Sequence, residues 1–130
     1  MRWLKALLPL APYVVGIFFF SSRSSFPVSL PDVPGLDKLI HASEYALLGL
    51  LVTRALRMLT RLSGRRAALI AFSFGALYGA TDEWHQAYVP GRDSSVWDWS
   101  ADSIGSAVGV VVWLLLERRA RAAAPKEVAP

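Results

Sequence analysis

Four stretches of the chain are apolar over about the 20 residues that a helix needs to cross roughly 30 Å of hydrocarbon. The first covers 4–22 and is uncharged from Ala6 to Ser22. The second, 37–56, carries Lys38, His41 and Glu44 in its first two turns. The third, 67–88, is uncharged until Asp82. The fourth, 97–116, is uncharged only from Ser103 to Leu116, so it must reach back toward Asp98 to span. The pattern predicts an all-α fold, a four-transmembrane-helix bundle in a single domain over 1–119, with no internal repeat. Residues 120–130, rich in Ala and Pro, read as a disordered tail. A cleaved signal peptide competes for the first stretch, because a short basic segment precedes the apolar run. Phe18-Phe19-Phe20-Ser21-Ser22-Arg23 offers no small-x-small cleavage site, which favours a span.

Composition sharpens the picture. The chain has 130 residues, 54% hydrophobic and 18% charged, where a soluble domain carries about a quarter charged residues. With no cysteine, disulfides, thiolate metal sites and a cysteine nucleophile are excluded. The net charge of +4 does not indicate nucleic acid, because the basic residues fall between apolar stretches rather than in one patch. Their distribution sets a topology. If the N-terminus faces the cytoplasm, Arg2, Lys5, Arg54, Arg57, Arg61, Arg65, Arg66, Arg118, Arg119, Arg121 and Lys126 lie inside, against Arg23, Lys38 and Arg92 outside. Positive residues are retained on the cytoplasmic side, so both termini are expected there.

The acids divide the other way. Counting 1.5 Å per residue from the inner boundaries places Asp102 roughly 7 Å, His41 about 6 Å, Glu44 about 10 Å, and Asp82 and Glu83 roughly 5 Å inside the outer surface. Ionisable groups facing lipid are costly, so these are expected to turn inward and meet. Helical spacing agrees: Lys38, His41 and Tyr45 share a face, as do Tyr78, Asp82 and His85, and Asp98 and Asp102 with Gly105 and Gly109. Small residues lie beneath them, Gly75 and Gly79 under Glu83, Gly105 and Gly109 under Asp102, Gly49 under Tyr45, and would let helices approach closely. Val89-Pro90-Gly91-Arg92 predicts a type II turn that folds Arg92 back over the resulting cup. Two residues have structural alternatives: Asp37 as N-cap of the second helix, and Asp98 in a capping box with Ser95. His85 and Gln86 lie near the interface and are open to plain solvation.

These pieces together resemble the VanZ-like membrane proteins, a family named after a teicoplanin-resistance accessory protein. The matching residues are Asp37-Lys38-x-x-His41 and Tyr45; Tyr78-Gly79-x-x-Asp82-Glu83-x-His85-Gln86; Val89-Pro90-Gly91-Arg92; and Asp98, Gly105 and Gly109. Coverage is about 31–115. Asp102 departs from the family pattern, which has asparagine there. The resemblance implies a four-helix bundle, a bacterial plasma-membrane location, multi-pass, and a role in the cell envelope or in glycopeptide resistance.

Seven acids in the outer halves, Asp37, Glu44, Asp82, Glu83, Asp93, Asp98 and Asp102, face Lys38 and Arg92, with Arg23 farther away. Packed at low dielectric, that excess must bind protons or a cation. Three classes follow. One is a binding module for an envelope lipid, a lipid-linked precursor or a glycopeptide, using Lys38, His41, Glu44, Tyr45, Tyr78, Asp82, Glu83, Gln86, Arg92, Asp98 and Asp102. The second is an intramembrane hydrolase or transferase on a lipid-linked substrate. In it His41, Glu83 or Asp82 would be the catalytic candidates, and His41, Glu44, Asp82 and Glu83 would hold a divalent cation. The third is a proton or cation pathway or an assembly subunit. Against transport, Leu47, Leu50, Leu51, Ile70, Phe72 and 110–116 are expected to close the inner half. Glycine faces also make a homo-oligomer conceivable.

Overall fold

The computed structural model describes residues 1–24 and 33–124 and contains four helices: α1 (Arg2–Ser21), α2 (Leu36–Leu59), α3 (Gly64–Gln86) and α4 (Val96–Ala123). Helix α4 runs seven residues beyond the predicted end at 116, so 120–123 are helical; the rest of the predicted tail, 125–130, lies outside the described residues. Three helices, α1, α2 and α4, are long and apolar enough to cross a membrane. Helix α3 is of similar length, but its last two turns carry Asp82, Glu83, His85 and Gln86.

Side-chain pairings define the directions. Lys38 meets Asp98, His41 meets Asp102 and Arg57 meets Glu117, so numbers rise together and α2 and α4 run parallel. Tyr78 of α3 donates to the Val14 carbonyl of α1 while Arg54 of α2 donates to Lys5 of α1, so α1 and α3 run opposite to α2 and α4. The result is an up-down-up-down bundle with one polar end, where α2 and α4 begin.

Glycine decides how closely α2 and α4 pack. A methyl at Gly105 would overlap the Ala42 carbonyl, one at Gly109 the Ala46 carbonyl, and one at Gly49 the Ser106 carbonyl. With lipid outside there is little hydrophobic drive between helices, and close backbone approach supplies van der Waals contact instead. Gly75 and Gly79 of α3, two and one turns beneath Glu83 on the same buried stripe, pack against Ser106 and Asp102 of α4. Two glycines therefore admit Ser106 and Asp102 as fully buried side chains.

Below the polar end the core consists of Ile17, Tyr45, Leu48, Val52, Ala71 and Val110. Of the residues expected to form the apolar plug, Val110 lies in the core and Leu114 packs against it, but Leu47, Ile70, Phe72, Val111, Leu115 and Leu116 face outward, and Leu48, Val52, Ala67 and Ala71 close the interior. Thr53, buried at this level, donates to Gly49 O at 2.7 Å. So many large exposed apolar side chains would be an aggregation liability in water and are appropriate against lipid. Trp84, Tyr88, Trp97 and Trp99 are exposed near the polar end, where amphipathic rings suit a headgroup boundary.

Helix α1 is held by main-chain carbonyls. Pro9 and Pro12 interrupt its ladder. Proline has no N–H, so Pro9 leaves the carbonyl of Lys5, its i−4 partner, without a helical donor. Arg54 Nη1 donates to that carbonyl at 2.9 Å. Tyr13 adds a bond to Glu44 O at 2.9 Å and Tyr78 one to Val14 O at 2.8 Å. At the opposite end from the cup, the Arg57 Nε–H donates to both oxygens of Glu117 at 3.1 and 3.0 Å, and Arg121 joins at 2.8 Å.

Candidate functional site

Helix starts and one turn place the polar groups. Helix α2 begins after Gly35, whose φ of 80° breaks the preceding chain, and no side chain caps it. The predicted Asp37 N-cap is therefore replaced: Asp37 lies inside the first turn and pairs with Lys38 Nζ at 2.7 Å. Lys38 also reaches Asp98 at 2.5 Å. Ser95 caps α4 and accepts from the Trp97 N–H at 3.2 Å. In a full capping box the residue at Asp98's position would take the Ser95 N–H. Here Glu83 Oε2 of α3 accepts that N–H, at 2.7 Å, which leaves Asp98 to Lys38. The box is completed between helices, and this interhelical link was not visible in the sequence.

The Val89–Arg92 turn forms as predicted, with the Arg92 N–H donating to Val89 O at 3.1 Å and Gly91 at φ 80°. It returns Arg92 to the cup, where Nη2 donates to Gln86 Oε1 at 3.1 Å. Gln86, buried rather than solvated, donates through Nε2 to Asp82 Oδ2 at 2.9 Å. His85 points away from this chain of bonds, toward α1, where Nε2 meets Ser22 Oγ at 3.0 Å and the ring lies 4.7 Å from that of Phe18.

His41, Glu83 and Asp102 converge. Each offers a ligand-capable atom, and these atoms all lie within 4.8 Å of one another. Asp102 is fully buried and Glu83 is 6% exposed. His41 Nδ1 and Asp102 Oδ1 are 2.9 Å apart. An ionised carboxylate only accepts, so Nδ1 carries the proton and Nε2 is left for another partner. Asp102 Oδ2 and Glu83 Oε1 are buried with no hydrogen-bond partner among the described residues. The buried Tyr45 hydroxyl is also unpartnered and therefore satisfies neither.

Of the residues expected to hold a cation, the structure brings His41 and Glu83 together and supplies Asp102 as the third. Asp82 is occupied by Gln86, and Glu44 lies outside the trio, near enough to His41, Asp82, Asp102 and Arg92 to feel their charge. Tyr45 and Tyr78 line the floor with ring centroids 6.4 Å apart. The chamber thus holds five carboxylates, Glu44, Asp82, Glu83, Asp98 and Asp102, against Lys38, Arg92 and one imidazole. An imidazole with two carboxylates can hold a divalent ion or work as an acid–base pair.

A family model described as VanZ/LLP1 matches residues 6–117. No curated protein matches the chain. No solved structure does either.

Proposed function

The chain belongs to the VanZ/LLP1 family of membrane proteins, and on that premise we propose that it is a multi-pass protein of the bacterial plasma membrane that binds a phosphate-bearing envelope lipid, lipid-linked precursor or glycopeptide at the outer leaflet. In this reading both termini are cytoplasmic and the protein serves envelope maintenance or glycopeptide resistance. The observation that carries it is the convergence of the half-buried His41 with the buried Glu83 and Asp102 at the polar end, with two carboxylate oxygens lacking a hydrogen-bond partner among the described residues. Buried polar atoms without partners are costly, and a ligand that satisfies them supplies both affinity and selectivity. Lys38, with a side chain 38% exposed, and the half-buried Arg92 stand beside the chamber as contacts for phosphate. The apolar outer faces of the helices would accept the acyl or prenyl chain.

The test is thermal unfolding of the detergent-purified protein titrated with anionic phospholipids, a lipid-linked peptidoglycan precursor and a teicoplanin-type glycopeptide. At least one should stabilise the wild type, and Glu83→Gln should lose the effect. Wild type unmoved by all of them would refute the reading.

The His41–Asp102 pair favours a second reading, an intramembrane hydrolase or transferase. A buried carboxylate fixing an imidazole is the arrangement that orients a general base, and Glu83 lies on the same chamber. Labelled lipid-linked substrates recovered intact after incubation, with and without divalent metals, would eliminate it.

A further inference from the structure

We propose that His41, Glu83 and Asp102 form a binding site for one first-row divalent metal ion, Zn²⁺ or Mn²⁺, whose remaining coordination positions face the mouth of the chamber. The site deepens the headgroup reading, on which its role rests, because the ion would bridge the acidic base and a ligand phosphate.

Three independent features converge on an ion. The first is donor placement: three ligand-capable atoms from three different helices lie within 4.8 Å of one another. Donors bound to Zn²⁺ at about 2.0–2.2 Å stand roughly 3–4 Å apart, so small side-chain rotations close the set. The second is orphaned valence. Glu83 Oε1 and Asp102 Oδ2 are buried, have no partner among the described residues, and belong to side chains 6% and 0% exposed. Interhelical hydrogen-bond glue would have used these oxygens, whereas a cation satisfies both at once. The third is the arrangement around the imidazole. His41 Nδ1 and Asp102 Oδ1 stand 2.9 Å apart, about the separation of two donors on one ion, which would take the place of the proton between them.

Chemistry narrows the ion. One nitrogen and hard carboxylate oxygens, without thiolate, suit Zn²⁺ or Mn²⁺ and not Cu(I). Three protein donors converge among the described residues, which leaves coordination positions for a ligand, as in metal sites that work on a ligand rather than in closed structural ones. The Glu83 Oε2 bond to the Ser95 N–H fixes the carboxylate without using Oε1. Asp98 is held by Lys38 and Asp82 by Gln86, so neither competes.

The test uses the full chain in lipid-free detergent, dialysed against ZnCl₂ or MnCl₂ and assayed for bound metal by mass spectrometry, with electron paramagnetic resonance for Mn²⁺. One ion per chain is expected. Glu83→Gln and His41→Gln should weaken it by about tenfold or more, while Glu117→Gln at the opposite end should bind like wild type; circular dichroism verifies that each variant is helical. Metal no higher than in a chelated control overturns the proposal, as does equal binding by wild type and both site variants. Thermal shifts with lipid, run with and without chelator, separate the two readings. A lipid shift that survives chelation, with no retained metal, overturns the ion and leaves the headgroup reading. Retained metal with no lipid shift supports the ion and overturns that reading.

Discussion

Replacing Gly105 with alanine would disrupt a close main-chain contact between α2 and α4. The added Cβ would lie 2.8 Å from both Cα and the carbonyl carbon of Ala42 and would overlap the carbonyl oxygen. Ordinary carbon–carbon contacts are about 3.5–4.0 Å, so α2 and α4 must separate by roughly 1 Å at this level. The obstacle is main chain on a packed helix and cannot rotate away. Overpacking of this kind costs about 1–3 kcal/mol. The separation also loosens the His41–Asp102 and Lys38–Asp98 contacts, one and two turns away along α4, at about 1 kcal/mol each. Alanine's better helix propensity returns about 1 kcal/mol, for a net loss of about 2–4 kcal/mol. Gly16→Ala is the matched control, because its Cβ would meet nothing within 4 Å and only the propensity gain remains. Unfolding by sodium dodecyl sulfate, followed by circular dichroism in mild micelles, should move the midpoint down for Gly105→Ala and level or up for Gly16→Ala. A Gly105→Ala midpoint at or above wild type would refute the close-packing argument.

Two further substitutions test how the site is framed. Tyr78→Phe removes the bond to Val14 O and should cost about 1 kcal/mol, with faster hydrogen exchange in the second half of α1 by mass spectrometry. Gly91→Ala forces a Cβ into φ 80°, at about 1–2 kcal/mol, and should speed proteolysis between residues 87 and 95 while leaving helix content unchanged.

The helices and the Val89–Arg92 turn were legible because they depend on local pattern: apolar length, and a proline–glycine pair that admits one turn type. The meeting of His41 with Asp102 was legible too, since few ionisable groups can be hidden at that depth. What remained hidden was azimuth. Periodicity says that Gly75 and Gly79 share a face with each other, but which neighbour fills them depends on packing, and Ser106 and Asp102 fill them. The same limit misassigned the plug, where Leu47 and Ile70 turn outward and Leu48 and Ala71 turn in. Asp37 as a cap failed because Gly35 already reverses the chain. Glu83's bond to Ser95 spans 12 residues and two helices, and no short motif encodes it. The boundary of α4 was set by hydrophobicity at 116, but the helix continues through Glu117, which Arg57 and Arg121 hold.

The carbonyl that Pro9 leaves open and Arg54 fills makes those two positions a single thermodynamic unit, although their side chains need not touch. Alanine at 9 would supply a main-chain donor to Lys5 and make the guanidinium redundant; alanine at 54 would strand the oxygen. Losing both should then cost less than the sum of the separate losses. Sequence drift at one site is thereby conditioned on the other, through an atom belonging to neither.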